Sequence, residues 1–260
     1  MDFSITTDFG GDTLDAGEIF PVFAAAGFKA VHWCQNWARK PVLYDREYCL
    51  RVKRLADENG LRVADIHAYS GIDPGLTCDE ELFLSVNANR MEFANAVGAD
   101  VLVVHLPLRR KCELTEAVDE ASRVLGKLRA PSARFALRVA VENLGPPACV
   151  PEFFDALFGR FEADFLGFCY DSGHALMFNC ADFIRRYGHR LIATHLHDND
   201  GSSDQHRLPG EGKVDWPMVV AALKATHYAR PPNLETNKPP GVELEAFCKQ
   251  AMDTIRRLFE

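Results

Sequence analysis

Short apolar or β-branched runs recur about every thirty residues: FSITTD (3–8), KAVHW (29–33), RVADIH (62–67), VLVVH (101–105), RVAVEN (138–143), FLGFCYD (165–171), LIATHLH (191–197) and NLET (233–236). Between them lie longer stretches whose apolar residues return at helical spacing, such as 46–60, 79–98, 116–130 and 217–227. Gly60 and Gly98 stand where a helix-ending glycine is expected, each just before the next apolar run. Strand followed by helix, eight times over, predicts parallel strands joined by crossovers. The count favours a closed (βα)8 TIM barrel, an α/β fold with outer helices, over an open doubly wound sheet. No linker or low-complexity tract divides the chain, so residues 1–260 read as one domain. The proline-rich RPPNLETNKPPG (230–241) reads as loop, strand and loop.

Composition narrows the partners. The hydrophobic fraction is 47% with 25% charged residues, ordinary for a soluble globular protein. The net charge of −8 argues against a protein built to hold a polyanion, because phosphate binding draws on Lys and Arg displacing counterions. The eight cysteines are scattered without a CxxC pair and read as reduced, buried thiols. Only Cys169 is near a strand end, and it is not expected to reach a site. The start of the chain lacks a basic segment followed by an apolar one, and the longest apolar runs are too short for a bilayer, so the expected location is cytoplasmic.

In such a barrel the active site forms at the C-terminal ends of the strands. Here those ends carry His32-Trp33, His67, His105, Glu142-Asn143, Asp171, His195 with His197-Asp198, and Glu235. Taken singly, each has an ordinary explanation as a satisfied polar residue or a helix cap. Together they would bring several carboxylates into one buried rim, a costly arrangement unless a cation compensates it. Mixed imidazole and carboxylate ligands suit Zn, Mn, Co or Fe(II), whereas all-oxygen sites suit Mg or Ca.

The motifs VENLG, YDSGHA, HLHDNDGSSDQHRLPGEGKVDW and LET resemble those of the xylose-isomerase-like TIM barrels, a group of sugar isomerases and epimerases that also contains the endonuclease-IV-type AP endonucleases. The resemblance implies one divalent ion, Zn, Mn, Co or Mg, held by Glu142, Asp171, His195 and Glu235. It gives His174 a contact with substrate. The nuclease type uses further metal ligands, and the matching positions here are His67, His105, His174, Asp204 and His206. All nine positions are filled, so up to three ions are allowed.

The expected function is isomerisation or epimerisation of a sugar or sugar-derived polyol, with proton transfer through an enediolate held on the metal. Glu142 and Glu235 would abstract and return the proton. His174, His32, Trp33, His67 and Arg207 are the candidate substrate contacts, with core packing an equal alternative for Trp33. Arg109, Arg110 and Arg207 are the candidate phosphate contacts. The alternative is a zinc phosphodiesterase acting on abasic DNA, which the acidic balance and the scarcity of basic clusters disfavour. A third reading, a non-catalytic barrel subunit, predicts a decayed ligand set, and no ligand position is missing. The expected partner is a small sugar-like molecule, without membrane or nucleic acid, and a homo-oligomer is compatible with the family. Within the loop 195–212, Asp200 is expected in turn chemistry. Gly210 and Gly212 are expected at positive φ or a close backbone approach, and Glu211 as either a partner of a histidine ligand or a surface residue. Asp215 is expected to cap the next helix, with Trp216 packing at its first turn.

Overall fold

The computed structural model describes residues 1–9, 14–36, 41–70, 79–108, 112–226 and 228–260. Arg109, Arg110 and Cys78 lie outside the described residues. Each apolar run yields a strand: β1 Ser4–Thr6, β2 Ala30–Trp33, β3 Arg62–His67, β4 Val101–Val104, β5 Arg138–Glu142, β6 Leu166–Asp171, β7 Leu191–His195 and β8 Asn233–Leu234. They form a parallel sheet in the order β7-β6-β5-β4-β3-β2-β1-β8. Just past β7, Leu196 N donates to Asn233 O at 2.8 Å and Glu235 N donates to Leu196 O at 3.1 Å, which joins the two sheet edges into a barrel. Several strands end one or two residues before the runs that predicted them, at positions such as 105, 143, 197 and 235. There the ladder gives way to the loops that carry the polar side chains.

The helices are α1 Ala16–Ala26, α2 Arg46–Glu58, α3 Glu80–Val97, α4 Leu114–Arg134, α5 Pro151–Arg160, the short α6 Ser172–Met177 and α7 Phe183–Arg186, α8 Trp216–Ala225 and α9 Leu244–Phe259. An aspartate starts several of them: Asp15, Asp45, Asp79 and Asp215 each accept a backbone N–H of the first turn. Asp215 and the buried Trp216 thus take the places expected of them. Gly98 closes α3 in the left-handed conformation, at φ 83°. Among the described residues, no helix is long and apolar enough to cross a membrane.

Period-two alternation sorts each strand into two faces. Ile5, Val31, Ile66, Leu102, Val139, Phe168 and Leu234 face the helices and merge into the main core. Val101, Val103, Ala140, Cys169, Ile192 and Ala193 form a separate apolar cluster. Its small side chains floor the barrel, and the histidines and carboxylates stand above it at the strand ends. Trp33 is on the helix-facing side of β2, packed against Phe20, Phe93 and Tyr44, and its indole N–H donates to Tyr44 Oη at 3.2 Å. It takes the packing role, not that of a pocket wall, because its neighbour His32 occupies the inner face.

Candidate metal centre

Glu142 lies at the middle of the rim. It leaves β5 on the inner face, two residues after Ala140, and is buried. Its Oε2 lies 2.9 Å from His195 Nδ1 and 3.2 Å from His105 Nε2, and its Oε1 lies 2.9 Å from His174 Nδ1. Glu235, leaving β8, brings its Oε2 to 3.0 Å from the same His195 Nδ1. Asp171 ends β6 and caps α6, its Oδ1 accepting His174 N–H at 2.7 Å. That cap explains the D-x-x-H spacing: the residue whose N–H is capped is the one whose ring is delivered to the site. Asn143 pins Asp171 from both sides, accepting its N–H at 2.7 Å and donating to its carbonyl at 2.8 Å.

The outer residues of the loop after β7, Asp204 and His206, join this cluster. Asp204 Oδ2 lies 3.2 Å from His174 Nε2 and 3.1 Å from His206 Nε2. His206 adopts a left-handed backbone conformation, φ 48°, a strain of about 1 to 3 kcal/mol for a non-glycine residue. It is held there by its Nδ1–H donating to Glu235 O at 2.7 Å, by Asn237 N–H donating to its carbonyl at 2.7 Å, and by its ring stacked on His197 at 4.0 Å. His67 donates Nδ1–H to Ala68 O at 2.8 Å, which turns Nε2 into the lone-pair nitrogen. His67, His105 and Glu142 offer donor atoms within 4.8 Å of one another, as do Glu142, Asp171 and His174.

Two donors about 2.0–2.1 Å from a shared tetrahedral ion stand about 3.3 Å apart, slightly wider than the 2.9–3.2 Å found among these groups. Glu142 Oε2, His195 Nδ1 and His174 Nδ1 are buried and lie at such separations, yet form no hydrogen bond of acceptable geometry. Orphaned polar atoms of this kind are costly, and a divalent cation satisfies them at once. Donor set, spacing and orphaned atoms fit a divalent metal.

Electrostatics supports the same reading. Burial alone would raise the pKa of Glu142, but His105 and His195 outweigh it and hold the carboxyl well below its ordinary range. Burial works downward on His195, and the neighbouring Cys169, Glu235 and Glu142 outweigh it and hold the imidazole well above its usual value. His206 is raised to about 9, Asp204 overcoming the burial that would lower it. His67 goes the other way, lowered to about 3 by burial and by His105, so its ring is neutral at pH 7. Several imidazole protons thus stand where a cation would otherwise compensate the carboxylates.

The rim gathers Glu142, Asp171, His195, Glu235, His67, His105, His174, Asp204 and His206, with His32 beside Glu235. Arg207 is engaged within its own loop, by Asp200 at 3.5 Å and by Glu211 O at 3.2 Å. Asp200 takes its turn role, accepting Ser202 N–H at 2.9 Å, and Glu211 is exposed. Gly210 sits at φ 91°, whereas Gly212 permits a close approach, since a Cβ there would meet Asn199 C at 2.7 Å.

Four residues gain roles that the motifs did not assign. His197 donates Nε2–H to Asp171 Oδ2 at 3.0 Å and braces that carboxylate. Asp198 organises the loop: Oδ1 accepts from Asn199 N and Val214 N, and Oδ2 from Gly210 N and Trp216 Nε1, all at 2.9–3.0 Å. Asp65 receives the Nδ1–H of His32. Cys169, expected to stay clear of the site, lies within donor distance of Glu142 and His195. Period-two spacing was the available signal: Asp65, Cys169 and His197 each sit two residues from a rim residue on the same face.

Fold and rim together define the class, an eight-stranded α/β barrel whose strand ends converge on a histidine and carboxylate cluster. The chain belongs to the xylose isomerase-like TIM barrel family, whose model matches residues 20–258. It is 31% identical over 242 residues to the uncharacterized protein y4fM of Sinorhizobium fredii, covering 81% of this chain and 78% of that one. It is 25% identical over 178 residues to an inosose isomerase of Bacillus velezensis, covering 63% of this chain and 64% of the other. Among solved structures, a D-tagatose 3-epimerase-like protein superposes with TM-score 0.78 at 18% identity, over 100% of this chain and 98% of its own. The IOLI protein with a binding zinc atom gives TM-score 0.82 at 14% identity, over 100% and 98%.

Proposed function

We propose that this protein is a metal-dependent isomerase or epimerase of a ketose-like sugar or cyclic polyol. The observation that carries this reading is the convergence of two buried carboxylates, Glu142 and Glu235, on one imidazole nitrogen at 2.9 and 3.0 Å. Glu142, Asp171, His195 and Glu235 would hold the divalent ion. Bound there, it would polarise vicinal substrate oxygens and make the adjacent C–H acidic.

The chain's own residues do the rest. Glu142 and Glu235 stand as a proton-transfer pair, one removing the proton from the carbon beside the carbonyl and the other returning one to the opposite face. His174, fixed by the Asp171 cap, offers a ring N–H to a substrate oxygen. The family match and the relative named as an inosose isomerase support sugar chemistry.

The test is isotope wash-in. Metal-loaded protein is incubated in D2O with a panel of ketoses and inososes, and deuterium at the carbon next to the carbonyl is followed by NMR. Wash-in with at least one substrate is expected, with a fall of about 10²-fold or more in Glu142→Gln and in Glu235→Gln. Wash-in that is absent for every substrate, or unchanged in both variants, refutes the proposal.

One observation favours a second reading, a zinc phosphodiesterase acting on abasic DNA: Asp204 lies within 3.2 Å of both His174 and His206, so the additional ligand positions also converge. The net charge of −8 weighs against it. Nicking of an abasic oligonucleotide by zinc-loaded protein, with no isotope wash-in, would select it.

A further inference from the structure

β2 and the residue just past its end bring two more donor atoms beside the centre, outside the nine matched positions. His32 and Cys34 are two residues apart, so they share the inner face, and both are buried. Glu235 reaches them with the oxygen it does not offer to His195. Its Oε1 lies 3.7 Å from His32 Nε2 and 3.9 Å from Cys34 Sγ. The three donor atoms lie within 4.8 Å of one another.

The far side of His32 settles which nitrogen is available. Its Nδ1–H is donated to the buried carboxylate of Asp65, which leaves Nε2 with its lone pair, and no hydrogen bond reaches that buried atom. A separation of 3.7 Å from Glu235 is too long for an N–H···O bond. It is a few tenths of an ångström wider than the spacing of about 3.3 Å between nitrogen and oxygen ligands on one tetrahedral zinc. An imidazole oriented from behind by a carboxylate, its lone pair aimed at a thiol and a second carboxylate, has the arrangement of a metal-ligating histidine.

We infer that His32, Cys34 and Glu235 form a separate thiolate-containing site for a soft divalent ion such as Zn²⁺, bridged to the Glu142 centre through the two oxygens of Glu235. Binding releases the Cys34 thiol proton to solvent, and the thiolate forms its bond to the ion without any change of oxidation state. A soft sulfur donor selects Zn²⁺ over Mg²⁺. The site shares Glu235 with the proposed function but does not depend on the reaction assigned there.

The test is titration of the metal-free full chain with Co²⁺, following thiolate-to-cobalt charge transfer in the near ultraviolet and bound metal by elemental analysis. The wild type is expected to develop the charge-transfer absorption. Cys34→Ser is expected to lose it together with one metal equivalent per chain, and Cys169→Ser to keep both. If Cys34→Ser fails to fold, His32→Asn, which retains the thiol, is expected to lose the same equivalent. Co²⁺ binding by the wild type without charge transfer, absorption that survives Cys34→Ser, or absorption lost only in Cys169→Ser overturns the site. Those outcomes leave deuterium wash-in by the wild type untouched, so failure here is distinguishable from failure of the proposed function.

Discussion

Gly173, the second residue of α6, offers a sharp test of how tightly the rim is built. A Cβ placed on it would lie 2.6 Å from His197 Nδ1 and 2.7 Å from His197 Nε2, about an ångström inside ordinary contact. The His197 ring has little room to retreat. It is buried, stacked on His206 at 4.0 Å, and bonded to Asp171 at 3.0 Å. Gly173→Ala therefore sets two effects against each other. Alanine improves helix propensity by up to about 1 kcal/mol, whereas overpacking at a rigid buried site costs about 1–3 kcal/mol. With three constraints on the ring, the clash is expected at the upper end, leaving a net loss of about 2 kcal/mol. For a chain of this size that corresponds to a Tm lowered by roughly 4–8 °C. Displacing His197 also loosens the brace on Asp171, so zinc affinity should fall about 10- to 100-fold, the range for loss of a partner behind a metal ligand. Thermal melts and zinc competition with a chromophoric chelator read the two effects. The double variant Gly173→Ala/His197→Ala should be less destabilised than the sum of its parts, because removing the ring removes the clash. An unchanged Tm with unchanged zinc affinity in Gly173→Ala would refute the reasoning.

Asp198→Asn replaces one carboxylate oxygen by an NH₂ group facing two donors, so two of the four hydrogen bonds that organise the loop are lost. The expected destabilisation is about 2–4 kcal/mol, visible as a lower Tm and faster proteolysis within residues 199–214. Metal binding should also release protons. His195 is held well above its ordinary range in the metal-free protein, burial pulling it down but Cys169, Glu235 and Glu142 outweighing it. As a ligand it must give up that proton. Zinc affinity is therefore expected to fall as pH is lowered, and calorimetry in buffers of different ionisation enthalpy should detect proton release. Buffer-independent heats would count against the assignment of His195 as a ligand.

The eight apolar runs determined the barrel by themselves, because strand and helix periods alternate with little interruption and parallel strands need crossovers. Six of the nine candidate rim positions, His67, His105, Glu142, Asp171, His195 and Glu235, stand at strand ends, which face the site in this architecture, whereas His174, Asp204 and His206 were picked out by the resemblance to the family. The D-x-x-H spacing is a local cap that needs no tertiary information. The aspartate cap of α8 was local in the same way. What sequence left open depended on which side of a strand faces inward and on what lies across the barrel. Trp33 and His32 are neighbours, yet the pleat sends one to the helix layer and the other to the rim. Cys34 and Glu235 are 201 residues apart and meet only because β8 pairs with β1, which pairs with β2. His197 stood outside the nine matched positions, and only its 3.0 Å bond to Asp171 and its stack on His206 give it a bracing role. Local pattern specifies the elements, but tertiary packing decides which face of each strand turns inward, and barrel closure brings donors from distant strands within a few ångströms of one another, which is where the chemistry of the site arises.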